Sequence, residues 1–108
     1  MENDNSNLTL RDKAVISIAM YTGLRGSDIA KMTVDTIDFE RDLITLEQSK
    51  THQKLVLPLR AVVGNAVMEY LKKERPKEVK IQRLFTHLYD PEKPISPDVI
   101  GKIARRFF

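Results

Sequence analysis

The sequence contains no cysteine and no tryptophan, and only two histidines, His52 and His87. Without thiols there are no disulfides and no thiolate zinc sites, a pattern that fits a reducing cytoplasm. Two histidines so widely separated leave no ligand cluster for a metal, and no cofactor is expected. Aromatic residues make up 6% of the chain, too few for a base-stacking platform or an aromatic cage. No apolar run approaches the ~20 residues of a membrane span. The polar opening Met1-Glu2-Asn3-Asp4-Asn5-Ser6-Asn7 is not a signal peptide. These absences predict a soluble, cytoplasmic protein with no membrane partner.

What is present is sufficient for one domain, or part of one. The chain has 108 residues, of which 42% are hydrophobic, and a chain of this size buries about 60–70% of its unfolded surface. Eighteen basic residues against 15 acidic ones give a net charge of +3. That excess permits a nucleic-acid partner without establishing one.

Residues 1–8 carry no periodicity and read as a polar lead-in or linker; residues 9–108 form the folded part. Thr9 followed by Asp12 predicts a capping box opening a helix over residues 10–20. That helix is apolar nearly all round, the mark of a central element. Gly23 stops it. Ser27 is expected to cap a short helix to about Met32, burying Ile29 and Met32. Residues 34–37 read as an irregular turn. Residues 39–47 read as two short strands around a charged turn at Arg41-Asp42. After the polar stretch at 48–53, Lys54-Leu55-Val56-Leu57-Pro58-Leu59 reads as an edge strand. The three form an antiparallel meander with Lys50 at the tip of its second hairpin. Val62, Val63, Ala66, Val67, Tyr70 and Leu71 mark a helix over 60–74, ended by Pro76. Ser96-Pro97-Asp98 is a helix start, with cap, first-turn proline and acid in order. Its apolar face comprises Val99, Ile100, Ile103, Ala104, Phe107 and Phe108. The fold class is α+β, mostly helical, with the small meander packed beside the helices.

Chemistry centres on Thr22-Gly23-Leu24-Arg25-Gly26-Ser27-Asp28-Ile29. Arg25 sits on a corner between two helices, where a planar guanidinium and free backbone N–H groups favour an oxyanion such as phosphate. Taken alone, Arg25 reads better as a solvated arginine at a helix start and Lys50 better as an ordinary turn residue. Together they suggest a clamp, because the meander can fold back beside the corner.

This order of elements, with the arginine corner, the Glu47-Gln48-Ser49-Lys50-Thr51 turn and the Leu57-Pro58-Leu59 strand end, resembles the first half of the catalytic domain of tyrosine recombinases. That is the phage integrase family, and the lysine turn is most similar to the lambda-type integrases. The resemblance implies strand exchange on double-stranded DNA through a 3′-phosphotyrosine link, with no external energy source. It implies that Arg25 stabilises charge on the scissile phosphate. It also implies that Lys50 protonates the leaving 5′ oxygen and that Asp28 supports the site. Further partners would be other recombinase protomers in a synaptic assembly.

The family's later block, a His-x-x-Arg motif and the tyrosine nucleophile, does not occur in this sequence. His87 is followed by Leu88-Tyr89-Asp90, and Tyr21, Tyr70 and Tyr89 stand at packing or loop positions. The chain is therefore expected to be a partial catalytic domain that needs the C-terminal part of that domain and does not cleave DNA alone. Lys54, Lys102, Arg105 and Arg106 are candidate DNA-backbone contacts; for the last helix, a solvated basic face is the equal alternative. Two other readings are a non-catalytic DNA-binding module of winged-helix type and a protein-interaction module docking through Phe107-Phe108.

Overall fold

The structure, a computed structural model, describes residues 8–48 and 50–106. Helix α1, Leu10–Thr22, opens where Thr9 Oγ1 accepts the Asp12 N–H at 3.1 Å. The expected capping box is only half made. Asp12 is one methylene shorter than the residue that closes such a box, and its carboxylate turns instead to Arg11 Nε at 2.9 Å. The outstanding N–H groups of Leu10 and Arg11 are taken by Glu74, at 3.3 and 2.7 Å. An acid at the end of a distant helix thus completes the cap.

The apolar circumference of α1 buries Ala14, Val15, Ile16 and Ile18. It packs against α2 (Gly26–Ala30), α3 (Ala61–Lys73) and α4 (Pro97–Arg105), which makes it the central helix. Met20 and Tyr21, at its last turn, are exposed, so the central helix is not covered along its whole length.

Three strands follow α2: β1 Ile37–Asp38, β2 Leu43–Glu47 and β3 Lys54–Pro58. They form an antiparallel sheet in the order β1-β2-β3, with Ile37 opposite Ile44 and Leu43 opposite Pro58. Pro58 occupies the last pair of an edge strand, where a missing N–H is tolerated. The first strand lies earlier than the sequence reading placed it. Asp38 Oδ1 accepts the Glu40 and Arg41 amides, both at 3.0 Å, and thereby pulls Phe39 and Glu40 into the turn.

Helix α3 buries Val63, Val67 and Tyr70 and ends at Lys73, with Glu74 as its C-cap, ahead of Pro76. The charged stretch that follows has no periodicity but a definite anchor. The Arg75 guanidinium donates to the carbonyls of Ile81, Arg83 and Leu84 at 3.1, 2.9 and 3.2 Å. Leu84 and Phe85 are thereby seated in the core, the Phe85 ring 5.4 Å from that of Tyr70. Helix α4 begins as its sequence predicts, with Ser96 Oγ accepting the Val99 N–H at 3.3 Å and Pro97 in the first turn. Ile100 and Ile103 are buried, while Phe107 and Phe108 lie outside the described residues. Among the described residues no helix is long and apolar enough to cross a membrane.

Candidate active site

The corner that carries Arg25 is fixed by its backbone. Gly23 adopts φ 70° and ψ 13°, the left-handed conformation that closes helices, and its N–H reaches Ala19 O at 3.1 Å. Thr22 adds a bridge: its hydroxyl donates to Ile18 O at 2.6 Å and accepts the Leu24 N–H at 3.1 Å. The sequence reading missed this role of Thr22; the signal was a hydroxyl one residue before a helix-ending glycine.

Arg25 itself is the N-cap of α2, extended at φ −76° and ψ 158°, and its carbonyl accepts the Ile29 N–H at 3.0 Å. This corrects the assignment of Ser27 as the cap. The helix opens one residue after Arg25 and ends at Ala30 rather than near Met32. The extended backbone of Arg25 supplies the first acceptor of the helix, so Ser27 falls inside the first turn. The Arg25 side chain is exposed and makes no capping hydrogen bond. Ile29 and Met32 are buried, as expected.

Behind the corner, a Cβ at Gly26 would stand 3.2 Å from Pro97 O and 3.5 Å from Ile100 Cγ2. The start of α4 therefore presses against the residue that follows Arg25. Asp28 is buried and lines a cleft of ≈ 280 Å³ with Lys31, Thr36, Leu46 and Glu47, between α2 and the end of β2. The acid thus faces the strand that leads into the lysine hairpin.

Lys50 stands exposed on the turn between β2 and β3, the place the sequence assigned it. That turn is closed by Gln48 N–H to Gln53 O and His52 N–H to Gln48 O, both 2.9 Å, with His52 at φ 59°. Ser49 lies outside the described residues. Lys54 lies at the same end of the sheet, exposed and opposite Glu47. Lys102 and Arg105 are exposed on α4. Arg106 is also exposed, yet its Nη1 lies 3.9 Å from Asp12 Oδ2, so part of its charge is answered within the fold. The basic residues thus fall into two groups, one at the hairpin end and one on α4. Helix α4 is joined to the Arg25 corner through Gly26.

The chain's three tyrosines lie on α1 (Tyr21), on α3 (Tyr70) and on the loop before Pro91 (Tyr89). Tyr70 is buried and donates to Leu84 O at 2.9 Å; burial pushes its phenol up, partly offset by hydrogen bonding at Thr86 and by Arg75 and Arg11. Tyr21 lies on α1 with the Arg60 guanidinium 5.8 Å from its ring centre. Tyr89 is fully exposed on the loop before Pro91. Among the described residues no group of His, Asp and Glu is arranged to hold a metal ion.

Residues 1–107 match the phage integrase family. A protein of Sinorhizobium fredii named as an integrase/recombinase, y4gC, is 36% identical over 103 residues, spanning 95% of this chain and 52% of that protein. Tyrosine recombinase XerC 2 of Ralstonia nicotianae is 24% identical over 98 residues, or 91% of this chain and 28% of its own length. Among solved structures, XerA recombinase superposes with a TM-score of 0.77 at 17% identity, covering 97% of this chain and 37% of that one. The lambda integrase catalytic core gives 0.66 at 17% identity, covering 89% of this chain and 55% of its own. The chain therefore spans about half the length of y4gC and less of the XerC relative. With the match extending over nearly every residue and the catalytic-domain fold in place, the chain belongs to the phage integrase family of tyrosine recombinases.

Proposed function

We propose that the chain supplies the phosphate-binding half of a site-specific DNA recombinase active site, with Arg25 and Lys50 as its catalytic residues. The observation that carries this reading is the Arg25 corner. An exposed guanidinium stands on a backbone locked by Gly23 and Thr22, with its bidentate face uncommitted among the described residues. A side chain so held neutralises charge on the non-bridging oxygens of a pentavalent phosphorus without having to reorganise. Lys50, on a turn pinned at both ends, would donate the proton that the leaving 5′ oxygen requires. Asp28, buried behind the corner, would keep α2 in register with the strand feeding that turn.

Double-stranded DNA is the partner this reading requires; the lambda integrase neighbours include a dimer bound to a core site. Lys54, Lys102, Arg105 and Arg106 would follow the backbone of the duplex, Arg106 less strongly because Asp12 competes for it. The nucleophile and second arginine would come from the remainder of a catalytic domain, and synapsis from further recombinase protomers. A winged-helix reading loses support because α2, Gly26–Ala30, is too short to present several base-reading side chains to a major groove.

The test uses the chain with a nicked suicide duplex. Binding without covalent protein–DNA adduct is expected, with affinity falling about 0.9 log units per log unit of salt for each phosphate contacted. An adduct formed by the chain alone, or affinity unchanged between low and high salt, overturns the proposal.

A further inference from the structure

We propose that Arg83 is a positioning residue for Arg25, holding the far end of the short helix that Arg25 caps. This inference rests on the reading of Arg25 as a phosphate ligand and adds the restraint that keeps it in place. Helix α2, Gly26–Ala30, has five residues, whereas an isolated helix shorter than about 12–15 residues is marginal in water. Neighbours must therefore impose its geometry, and with it that of the Arg25 backbone, whose carbonyl accepts the Ile29 N–H.

At the first turn the restraint is steric. The space that a Cβ would fill at Gly26 is bounded by Pro97 O at 3.2 Å and Ile100 Cγ2 at 3.5 Å, so α2 cannot shift toward α4. Such a contact blocks movement in one direction and leaves the helix free to lift away. At the last turn the restraint is a bond. The final carbonyls of a helix have no partner within it, and Ala30, which carries one of them, is buried. Arg83 Nη1 donates to Ala30 O at 3.3 Å, across a separation of 53 residues. A cation at that end also suits the helix dipole.

Arg83 is itself held by main chain. The Arg75 guanidinium donates to Arg83 O at 2.9 Å, and Arg83 forms a β-bridge with Thr33. On either side, the Leu84 N–H reaches Met32 O at 2.8 Å and the Val34 N–H reaches Gln82 O at 2.9 Å. A guanidinium on so firm a base is a fixed post rather than a loose surface arm. Among the described residues no carboxylate lies within ion-pair distance of it, so the helix end is the group it serves.

The test separates positioning from plain stabilisation. The full chain is titrated with a short DNA duplex at several salt concentrations, and log affinity is plotted against log salt. Arg25→Ala lowers the slope by about 1. Arg83→Met, which keeps the apolar stem and removes the donor, is expected to lower it by about the same amount, and the double variant no further. Arg83→Lys, with a donor of similar reach, should retain the slope. Amide exchange reads the restraint directly: the Ile29 N–H should exchange about tenfold faster in Arg83→Met, while Val15 and Val67 keep their rates. Should Arg83→Met fail to fold, Arg83→Gln, whose amide stops short of Ala30 O, replaces it with the same outcomes required. Losses that add in the double variant would make Arg83 a phosphate contact of its own and overturn the proposal. So does an unchanged slope in Arg83→Met, even with a lowered melting temperature. A slope unmoved by Arg25→Ala overturns the Arg25 reading, and this proposal with it.

Discussion

Arg25 is positioned by main chain on both sides and, among the described residues, by no side-chain hydrogen bond of its own, which separates its contribution to binding from any contribution to folding. Arg25→Ala is expected to leave stability within about 0.5 kcal/mol, the usual range for a surface change. It should reduce the slope of log affinity against log salt by about 1. Thermal melts alongside DNA titrations at several salt concentrations check both halves. Tyr70 shows the reverse pattern, with its role inside the fold. Its phenol is buried and bonded to Leu84 O, and burial raises its pKa above the ordinary value of 10.0. The folded chain thus holds this proton more tightly than the unfolded one. The stabilisation is complete below pH 10.0 and is lost as the pH rises through the folded value. Tyr70→Phe should cost about 1 kcal/mol at neutral pH, because Leu84 O keeps only the Arg75 donor. It should also flatten part of the alkaline decline, as melting temperatures measured from neutral pH upward would reveal.

At the scale of elements, local signals decided most starts and stops. Thr9 and Ser96 accept the N–H groups their positions predict, and Gly23 takes the left-handed conformation. A Cβ at Gly23 would meet nothing within 4 Å, so a substitution there tests backbone strain alone. Gly23→Ala is expected to cost about 1 kcal/mol, seen as a fall of about 4–8 °C in melting temperature. Gly23→Asn should recover part of it, because asparagine tolerates that conformation. A loss in Gly23→Ala too small to measure would contradict this account of the corner. The elements misread from sequence share a cause. Asp38 captured two amides that periodicity alone gave to a strand, and Arg25, an unusual capping type, displaced Ser27. At Asp38 a side-chain carboxylate taking two amides, and at Arg25 a backbone carbonyl taking one, outweighed residue preference. Thr22 escaped notice because its hydroxyl bonds are local geometry rather than pattern.

For the molecule as a whole, long-range polar contacts hold what hydrophobic patterning only brings near. Glu74, at the end of α3, accepts from the first two N–H groups of α1, a link across more than sixty residues. Removing it in Glu74→Ala leaves two helical N–H groups in a part-buried setting. The expected loss is about 2 kcal/mol, since hydrogen bonds to charged groups are the stronger ones. Urea denaturation checks this: the midpoint should fall while the slope stays constant. Neither Glu74 nor Arg75 carried a signal in the sequence, because an acid and a base near a helix end read as a wet surface.

Sequence pattern was enough for the α+β class, the order of the meander, and the helices read over residues 10–20 and 60–74, which the structure places at 10–22 and 61–73. Periodicity, glycine and proline placement, and caps are properties of a few neighbouring residues, and a linear reading can weigh them. Tertiary structure alone decided that Glu74 completes the cap of α1, that Gly26 meets the start of α4, and that Met20, Tyr21 and Val62 open onto one groove. Each of those depends on groups distant in the chain coming within a few ångströms of one another. No local preference encodes that approach; packing around the central helix does.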